Sequence, residues 1–290
     1  MILKILNYRS YLAFFCSIFF LLSYNFLGDV MKFKIGDLVT RNSHGNDIIF
    51  KIISIEGNEA DLKGVNVRLL AHSEIADLNS YNNEDIEHEE VFLKRIAEPA
   101  NLNRNDYFYI PGKILHIDSD SDYLSRCLDY YDKSNVWSMG INEKEDKIAD
   151  NIKTWLDKYK PNIVVITGHD AYYKRKGAIN DINAYKNSTY FVNAIKKARE
   201  FEDSHEKLII IAGGCSSCYE ELIKAGANFA SSPKRINIHA LDPAVIATKM
   251  SLSDINKLID LKDILENTKY GKDGIGGIIT KGTMYVGYPR

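Results

Sequence analysis

Two short stretches constrain this chain more than any other: Asn162–Ala171, NIVVITGHDA, and Leu208–Cys218, LIIIAGGCSSC. In each, an apolar β-branched run breaks into small residues and then presents a reactive side chain. Ile163–Ile166 and Leu208–Ile211 are too short for helices. With helical segments between them, they predict strands buried on both faces of a parallel sheet. Ligands of such sheets sit beyond the carboxyl ends of the strands. One strand delivers His169 to that edge and the other delivers Cys215. The expectation is a Cys–His nucleophilic site on an α/β sheet.

The rest of the sequence fits one large domain, or a small one beside a medium one. The chain has 290 residues, 45% of them hydrophobic, with 37 basic against 39 acidic side chains. A formal charge of -2 argues against a nucleic-acid binder that works by phosphate neutralisation. Cys16, Cys127, Cys215 and Cys218 are too few for a disulfide scaffold and fit a reducing compartment. Residues 1–30 stand apart, because Lys4 and Arg9 precede the apolar run Tyr11–Leu22. That pattern is one of a signal or anchor, but the run is shorter than the roughly 20 residues that span a bilayer. Met31 opens MKFKIGDLVTR, a self-contained domain start, so a mis-called start is expected and no stable membrane insertion.

Four segments follow from the patterning: 1–30, the apolar extension; 31–76, a small β-barrel of SH3 type; 77–105, an acidic linker with a short helix; and 106–290, the α/β domain. Short strands and Gly57-Asn58 as a hairpin turn carry the barrel reading, with strands at Ile48–Ile55, Ala60–Leu62 and Val65–Leu70. His44 and His72 read as surface histidines without a chemical role. In the last segment, strands at Lys113–Ile117, Val136–Ile141 and the two runs above alternate with amphipathic helices, among them Tyr123–Lys133 and Glu143–Lys160. Asp118-Ser-Asp-Ser-Asp122 suits a helix start, and Cys127 falls on that helix's buried face. Helices are expected at Pro243–Met250 and Ile255–Asn267, and a hairpin at Gly274–Pro289.

A cysteine is a useful nucleophile when its thiolate is populated, which a helix N-terminus and a neighbouring imidazole both favour. Cys215 follows Gly213-Gly214, where a strand turns towards a helix, so its thiol is expected at the positive end of that dipole. His169 precedes it by 46 positions, in a small-residue setting that resembles the His-Gly and Ala-Cys blocks of caspase-like cysteine peptidases. Those enzymes usually carry Gly after the histidine, and here Asp170 stands there. The backbone N–H groups of Asp170 and Cys215 are the candidate oxyanion donors. Asp170 and Asp242 are candidate partners for a basic substrate side chain, and His239 is a candidate rim or supporting residue. Asp181 reads as a helix cap. Cys215-Ser-Ser-Cys218 also allows a thiol–disulfide motif, or a metal site with His169 and His239. A buried, inert Cys218 is the plain alternative, and spacing leaves all of these open.

Three blocks resemble the sporulation-specific protease family YabG of endospore-forming Firmicutes: ITGHDAYYKRKGAINDINAYKNSTYF, AGGCSS and AGANFASSPKRINIHALDP. The resemblance runs from Met31 almost to the C-terminus. It implies a caspase-like α/β fold and a cysteine endopeptidase with Cys215 and His169 as its dyad, needing no metal and no other cofactor. It further implies spore coat and germination-related proteins as substrates, cut at basic, mainly Arg, sites. The location implied is the mother-cell cytoplasm, at the developing spore coat. Cys218 lies outside the family pattern, which weakens the redox and metal readings. A coat-assembly scaffold without activity is the alternative of another class.

Overall fold

The computed structural model describes residues 33–81, 86–97, 102 and 105–289. The extension at residues 1–30 lies outside them. Among the described residues no helix is long and apolar enough to cross a membrane. The chain divides into two compact units, one with residues up to Leu62 and His72–Ser80, the other with Lys63–Ala71 and Tyr81 onward.

The first unit is built on β1 (Leu38–Arg41), β2 (Phe50–Glu56), β3 (Glu59–Gly64), β4 (Leu70–Glu74) and β5 (Leu78–Ser80). Apolar residues alternate with solvated ones, so Phe50 and Ile52 on β2 and Ala60 and Leu62 on β3 are buried while Lys51 and Asp61 are exposed. Gly57, at φ 61°, supplies the left-handed turn between β2 and β3. The strand order is β4-β3-β2-β1-β5, an antiparallel sheet with free edges at β4 and β5. The expected SH3-like barrel is therefore corrected to an open sheet. Its last strand is three residues long and ends on β1 without reaching β4. The predicted strand Val65–Leu70 is likewise absent. That stretch belongs to the second unit, where Arg68 is fully buried against Asp118. His72 is exposed as expected, yet it pairs with Asp61 at 2.8 Å and Glu59 at 3.0 Å.

The second unit begins with α1 (Ile86–Ile96) and β6 (Phe108–Ile110). It then alternates β7 (Ile114–Asp118), α2 (Ser121–Lys133), β8 (Ser138–Asn142), α3 (Glu145–Tyr159), β9 (Ile163–Thr167), α4 (Ser188–Phe201), β10 (Ile209–Gly213), α5 (Tyr219–Lys224) and β11 (Phe229–Ser231). It closes with α6 (Asp242–Ser251), α7 (Leu261–Glu266), β12 (Ile275–Gly277) and β13 (Tyr285–Gly287). The sheet order is β12-β11-β10-β9-β7-β8, parallel except for β12.

Period-two side-chain alternation gives each central strand two apolar faces. Ile163, Val165, Ile209 and Ile211 pack with Cys127 and Tyr131 of α2 and Val245 and Ile246 of α6. Val164, Ile166, Ile210 and Ala212 pack with Ile148, Ile152 and Leu156 of α3 and Phe191 and Ile195 of α4 on the other face. The expected mostly parallel α/β sheet is therefore present. The C-terminal hairpin is not. β12 pairs antiparallel with β11, and β13 pairs with β6. The helix expected at Ile255–Asn267 shrinks to α7, because Asp260 caps it through the amides of Lys262 and Asp263.

The chain runs from β7 outward to β8 and then returns past β7 to β9, so the strand order reverses between β7 and β9. A crevice opens at the carboxyl ends of strands at such a reversal. Asp118, Thr167 and Gly213 end β7, β9 and β10 in one register row, and the turns that follow carry Asp120, His169 and Cys215.

Ile210 on β10 is fully buried between α3, α4 and the sheet. Ile210→Ala is expected to destabilise the fold by about 2–5 kcal/mol through lost burial and a residual cavity. Urea denaturation checks this, with the midpoint falling at unchanged slope.

Candidate active site

His169 and Cys215 each lie two residues beyond the paired residues Thr167 and Gly213, on adjacent parallel strands. Their turns are in backbone contact. A Cβ on Gly214 would fall 2.4 Å from the Gly168 carbonyl oxygen and 3.2 Å from the Asp170 amide nitrogen. A Cβ on Gly168 would meet Glu145 and Ser119 side-chain oxygens at 2.6 Å. Gly214 lets the two turns touch where a side chain would hold them apart, and Gly168 leaves room for Glu145 and Ser119.

Asp170 clasps the turns together. Its Oδ1 accepts from the amides of Ala171 and Asn187, both at 2.8 Å, and its Oδ2 from the hydroxyls of Ser188 and of Ser217, the latter at 2.8 Å. Ser217 Oγ accepts in turn from the Gly214 amide at 2.9 Å, and Ser188 Oγ from the Cys218 amide at 2.8 Å. Burial raises the Asp170 pKa, against the pull of these donors. A carboxylate with this many internal donors is not free for a substrate guanidinium.

Asp242 is also fully buried, its oxygens accepting from the amides of His239 at 3.0 Å and Lys269 at 2.8 Å. His239 is buried too. Its Nδ1 accepts from the Leu241 amide at 3.1 Å, and its Nε2 lies 2.9 Å from Glu89 Oε1. The structure therefore places Asp170, Asp242 and His239 in supporting positions, with their polar atoms committed to the fold.

The His169 main chain is held on both sides: its amide donates to Glu145 Oε1 at 2.9 Å, and its carbonyl accepts from Asn187 Nδ2 at 2.7 Å. Its ring, with a side chain 12% exposed, packs 5.7 Å from the Tyr123 ring and sets Nε2 3.0 Å from Asp120 Oδ2. Nδ1 is buried and has no hydrogen-bond partner among the described residues. Sequence reasoning gave Asp120 only a place at the start of a helix. It does cap α2, through the amides of Asp122 and Tyr123 at 3.0 and 3.2 Å, and it also meets Lys63 Nζ at 2.7 Å. The one signal for it in the sequence is an acid just past a strand's carboxyl end. Burial works against the Asp120 charge, but His169 and Lys63 bring its pKa down to about 2.

Cys215 is fully buried, and this corrects the expected dipole. α5 starts only at Tyr219, with Cys218 at its cap, so the thiol sits in the turn before a six-residue helix. Burial pushes the thiol up to about 12, although the Ile238 amide donates to Sγ at 3.4 Å. The stretch around Ile238 lies over it, held by hydrogen bonds from the Ser216 amide to the Ile236 carbonyl at 3.2 Å and from the Arg68 amide to the Ile238 carbonyl at 3.3 Å. Cys218 is a buried free thiol packed with Ala184 and Tyr185.

The YabG peptidase U57 family model matches residues 34–289. The chain belongs to this family. It is 42% identical over 286 residues to the sporulation-specific protease YabG of Bacillus subtilis (strain 168), an alignment covering 89% of this chain and 99% of the relative. This YabG-family chain is thus a peptidase, of the family that contains that sporulation protease. Among solved structures, the A domain of a carboxylic acid reductase from Segniliparus rugosus, bound to AMP and a carboxylic acid, matches with 12% identity and a TM-score of 0.24. The match covers 67% of this chain and 26% of the other, and at that score it carries no argument.

Two expectations follow from this geometry. Gly214→Ala would place a methyl carbon 2.4 Å from the Gly168 carbonyl oxygen and so force the two turns apart. We expect a loss of about 1–3 kcal/mol of stability and about a hundredfold loss of peptidase activity, as for a misplacement near 1 Å. Denaturant midpoints and turnover on a protein substrate measure the two. The second concerns acid. The pKa values of Asp118 and Asp120 are held below the ordinary value, so the native state binds fewer protons than the unfolded chain through the acid range. Their stabilisation is complete above the unfolded carboxylate value of about 3.9 and drains away as pH falls towards 2. Denaturant midpoints recorded from pH 6 downward should fall through that window, and Asp118→Asn should flatten the slope.

Proposed function

We propose that this chain is a cysteine endopeptidase of sporulation, with Cys215 as nucleophile and His169 as proton carrier. Its proposed substrates are spore coat and germination-related proteins, cut after Arg, in the mother cell at the developing coat. One observation carries the assignment: a thiol and an imidazole at equivalent positions beyond adjacent parallel strands, on turns in backbone contact. The family resemblance carries the substrate class.

The chemistry follows from the groups present. His169 takes the proton from Cys215 Sγ, and the thiolate attacks the scissile carbonyl carbon. Among the described residues, the amides of Cys215 and Asp170 donate to no protein acceptor, which leaves both for the oxyanion. His169 then gives its proton to the departing amine nitrogen as the carbon–nitrogen bond breaks. It next draws a proton from water, the hydroxide attacks the acyl carbon as its bond to Sγ breaks, and the departing thiolate takes the proton back from His169. The resting thiol is covered and protonated, so the stretch around Ile238 must lift as a polypeptide enters. Thiolate formation is thereby tied to substrate arrival.

The buried thiol favours one competing reading, a coat-assembly scaffold without activity. An alkylating peptide ending in arginine separates the two: an enzyme is labelled at Cys215, a scaffold is not.

In a purified assay on a coat protein, Cys215→Ala and His169→Ala are each expected to abolish cleavage, with a loss of at least about a thousandfold. Cys218→Ala should stay close to the parent. Cleavage that survives Cys215→Ala overturns the assignment. Loss with Cys218→Ala, together with activation by thiol reductants, would instead revive a thiol–disulfide role.

A further inference from the structure

We infer that Asp120 is the positioning residue of the site, holding the His169 ring in the tautomer and orientation that leave Nδ1 as the proton acceptor. This deepens the Cys215–His169 reading and rests on it.

The inference starts from what the ring can exchange. Nε2 faces Asp120 Oδ2 at 3.0 Å, and both side chains are largely buried, 12% and 9% exposed. An ionised carboxylate only accepts hydrogen bonds, so the proton of a neutral His169 ring resides on Nε2. That leaves the lone pair on Nδ1, a buried nitrogen with no partner among the described residues. An unsatisfied buried polar atom carries a cost and calls for a reason. A reason here is that Nδ1 receives the thiol proton and passes it to the leaving amine.

Asp120 is well placed to impose this arrangement because it is itself fixed. Its Oδ1 accepts from the amides of Asp122 and Tyr123 and from Lys63 Nζ, and its own amide donates to Asp118 Oδ1 at 2.9 Å. The carboxylate cannot swing away from the imidazole without uncapping α2. The His169 main chain is pinned by Glu145 and Asn187, so the side-chain torsions are its remaining freedom, and the Asp120 bond holds them. Once Nδ1 is protonated the imidazolium lies beside a carboxylate, which stabilises it. Lys63 Nζ shares that carboxylate and offsets part of its charge.

The test is Asp120→Asn, read out in two ways. Asn caps helices as well as Asp, so α2 keeps its start while the acceptor-only carboxylate is lost. The expected result is a fall in kcat of about 10²–10⁴-fold with KM within about threefold. In the same variant, 15N NMR of the His169 ring should show the proton moving from Nε2 towards Nδ1. A purely structural role for Asp120 would lower the denaturant midpoint and leave the tautomer alone. If Asp120→Asn does not fold, Asp120→Ser, which also caps, carries both readouts.

Retained kcat with an unchanged ring tautomer overturns the positioning role and leaves Cys215 as nucleophile. Activity that survives Cys215→Ala removes the nucleophile itself, and the positioning role falls with it.

Discussion

A fully buried ion pair between Arg68 and Asp118 underlies the rest of the second unit. Taking two charges out of water costs several kcal/mol per ion, and that cost is offset only if every remaining polar atom finds a partner. Here they do. Arg68 Nε and Nη2 donate to the Ala240 carbonyl at 3.2 and 2.9 Å, and Nη2 lies 3.6 Å from Cys127 Sγ. Asp118 Oδ2 also accepts from Thr167 Oγ1 at 2.7 Å, and its Oδ1 accepts from the Asp120 amide. Since Thr167 donates to Asp118, it accepts from His116 Nε2 at 2.9 Å, and His116 Nδ1 accepts from Tyr131 Oη at 2.8 Å. That tautomer needs a neutral His116, and burial lowers its pKa accordingly. The network is closed, and a closed buried network specifies one arrangement.

The same network sets the geometry at the strand ends. Asp118 grips the amide of Asp120, and Thr167 stands directly before Gly168 and His169. Asp120 and His169 are thus fixed from below by one set of hydrogen bonds. Cys215 is fixed from the side, through Asp170, Ser217 and the Gly214 contact. Two supports, linked through Asp170, converge on one edge of the sheet, and neither depends on the short helix that follows the cysteine.

Which parts of this were legible in the sequence follows from how local each determinant is. The strands β9 and β10 declare themselves because a parallel strand buried on both faces reads as a near-continuous β-branched run. His169 and Cys215 were legible for the same reason, as the residues just past such runs. The open sheet of the first unit was not. Short alternating strands with Gly turns suit an open sheet and a barrel equally, and only the missing β4–β5 pairing separates them. The end of the chain misled for a related reason. Gly274–Pro289 alternates like a hairpin, but each half finds its partner far away in sequence, in β11 and β6. Local pattern places Arg68 in a strand and Asp120 at a helix start. Their partners, Asp118 and His169, lie about fifty positions on, beyond the reach of any local pattern.

The cysteine is the instructive case, because its position was legible and its chemistry was not. A thiol before a helix is expected to ionise readily, yet this one is pushed up to about 12 by burial. The covering stretch near Ile238 contributes a single donor to Sγ, too little to offset the loss of water around a thiolate. The turn that carries Cys215 therefore does not by itself make the thiol reactive, and the reactivity proposed for it requires the cover to lift. On the proposed reading, a nucleophile kept neutral until its cover lifts does not react with passing electrophiles. In the proposed mechanism, the buried supports that hold His169 and Asp120 keep the imidazole in place while the Cys215 side opens. The edge of the sheet is thus rigid on the imidazole side and covered on the thiol side, and the proposed mechanism divides its two tasks between those two turns.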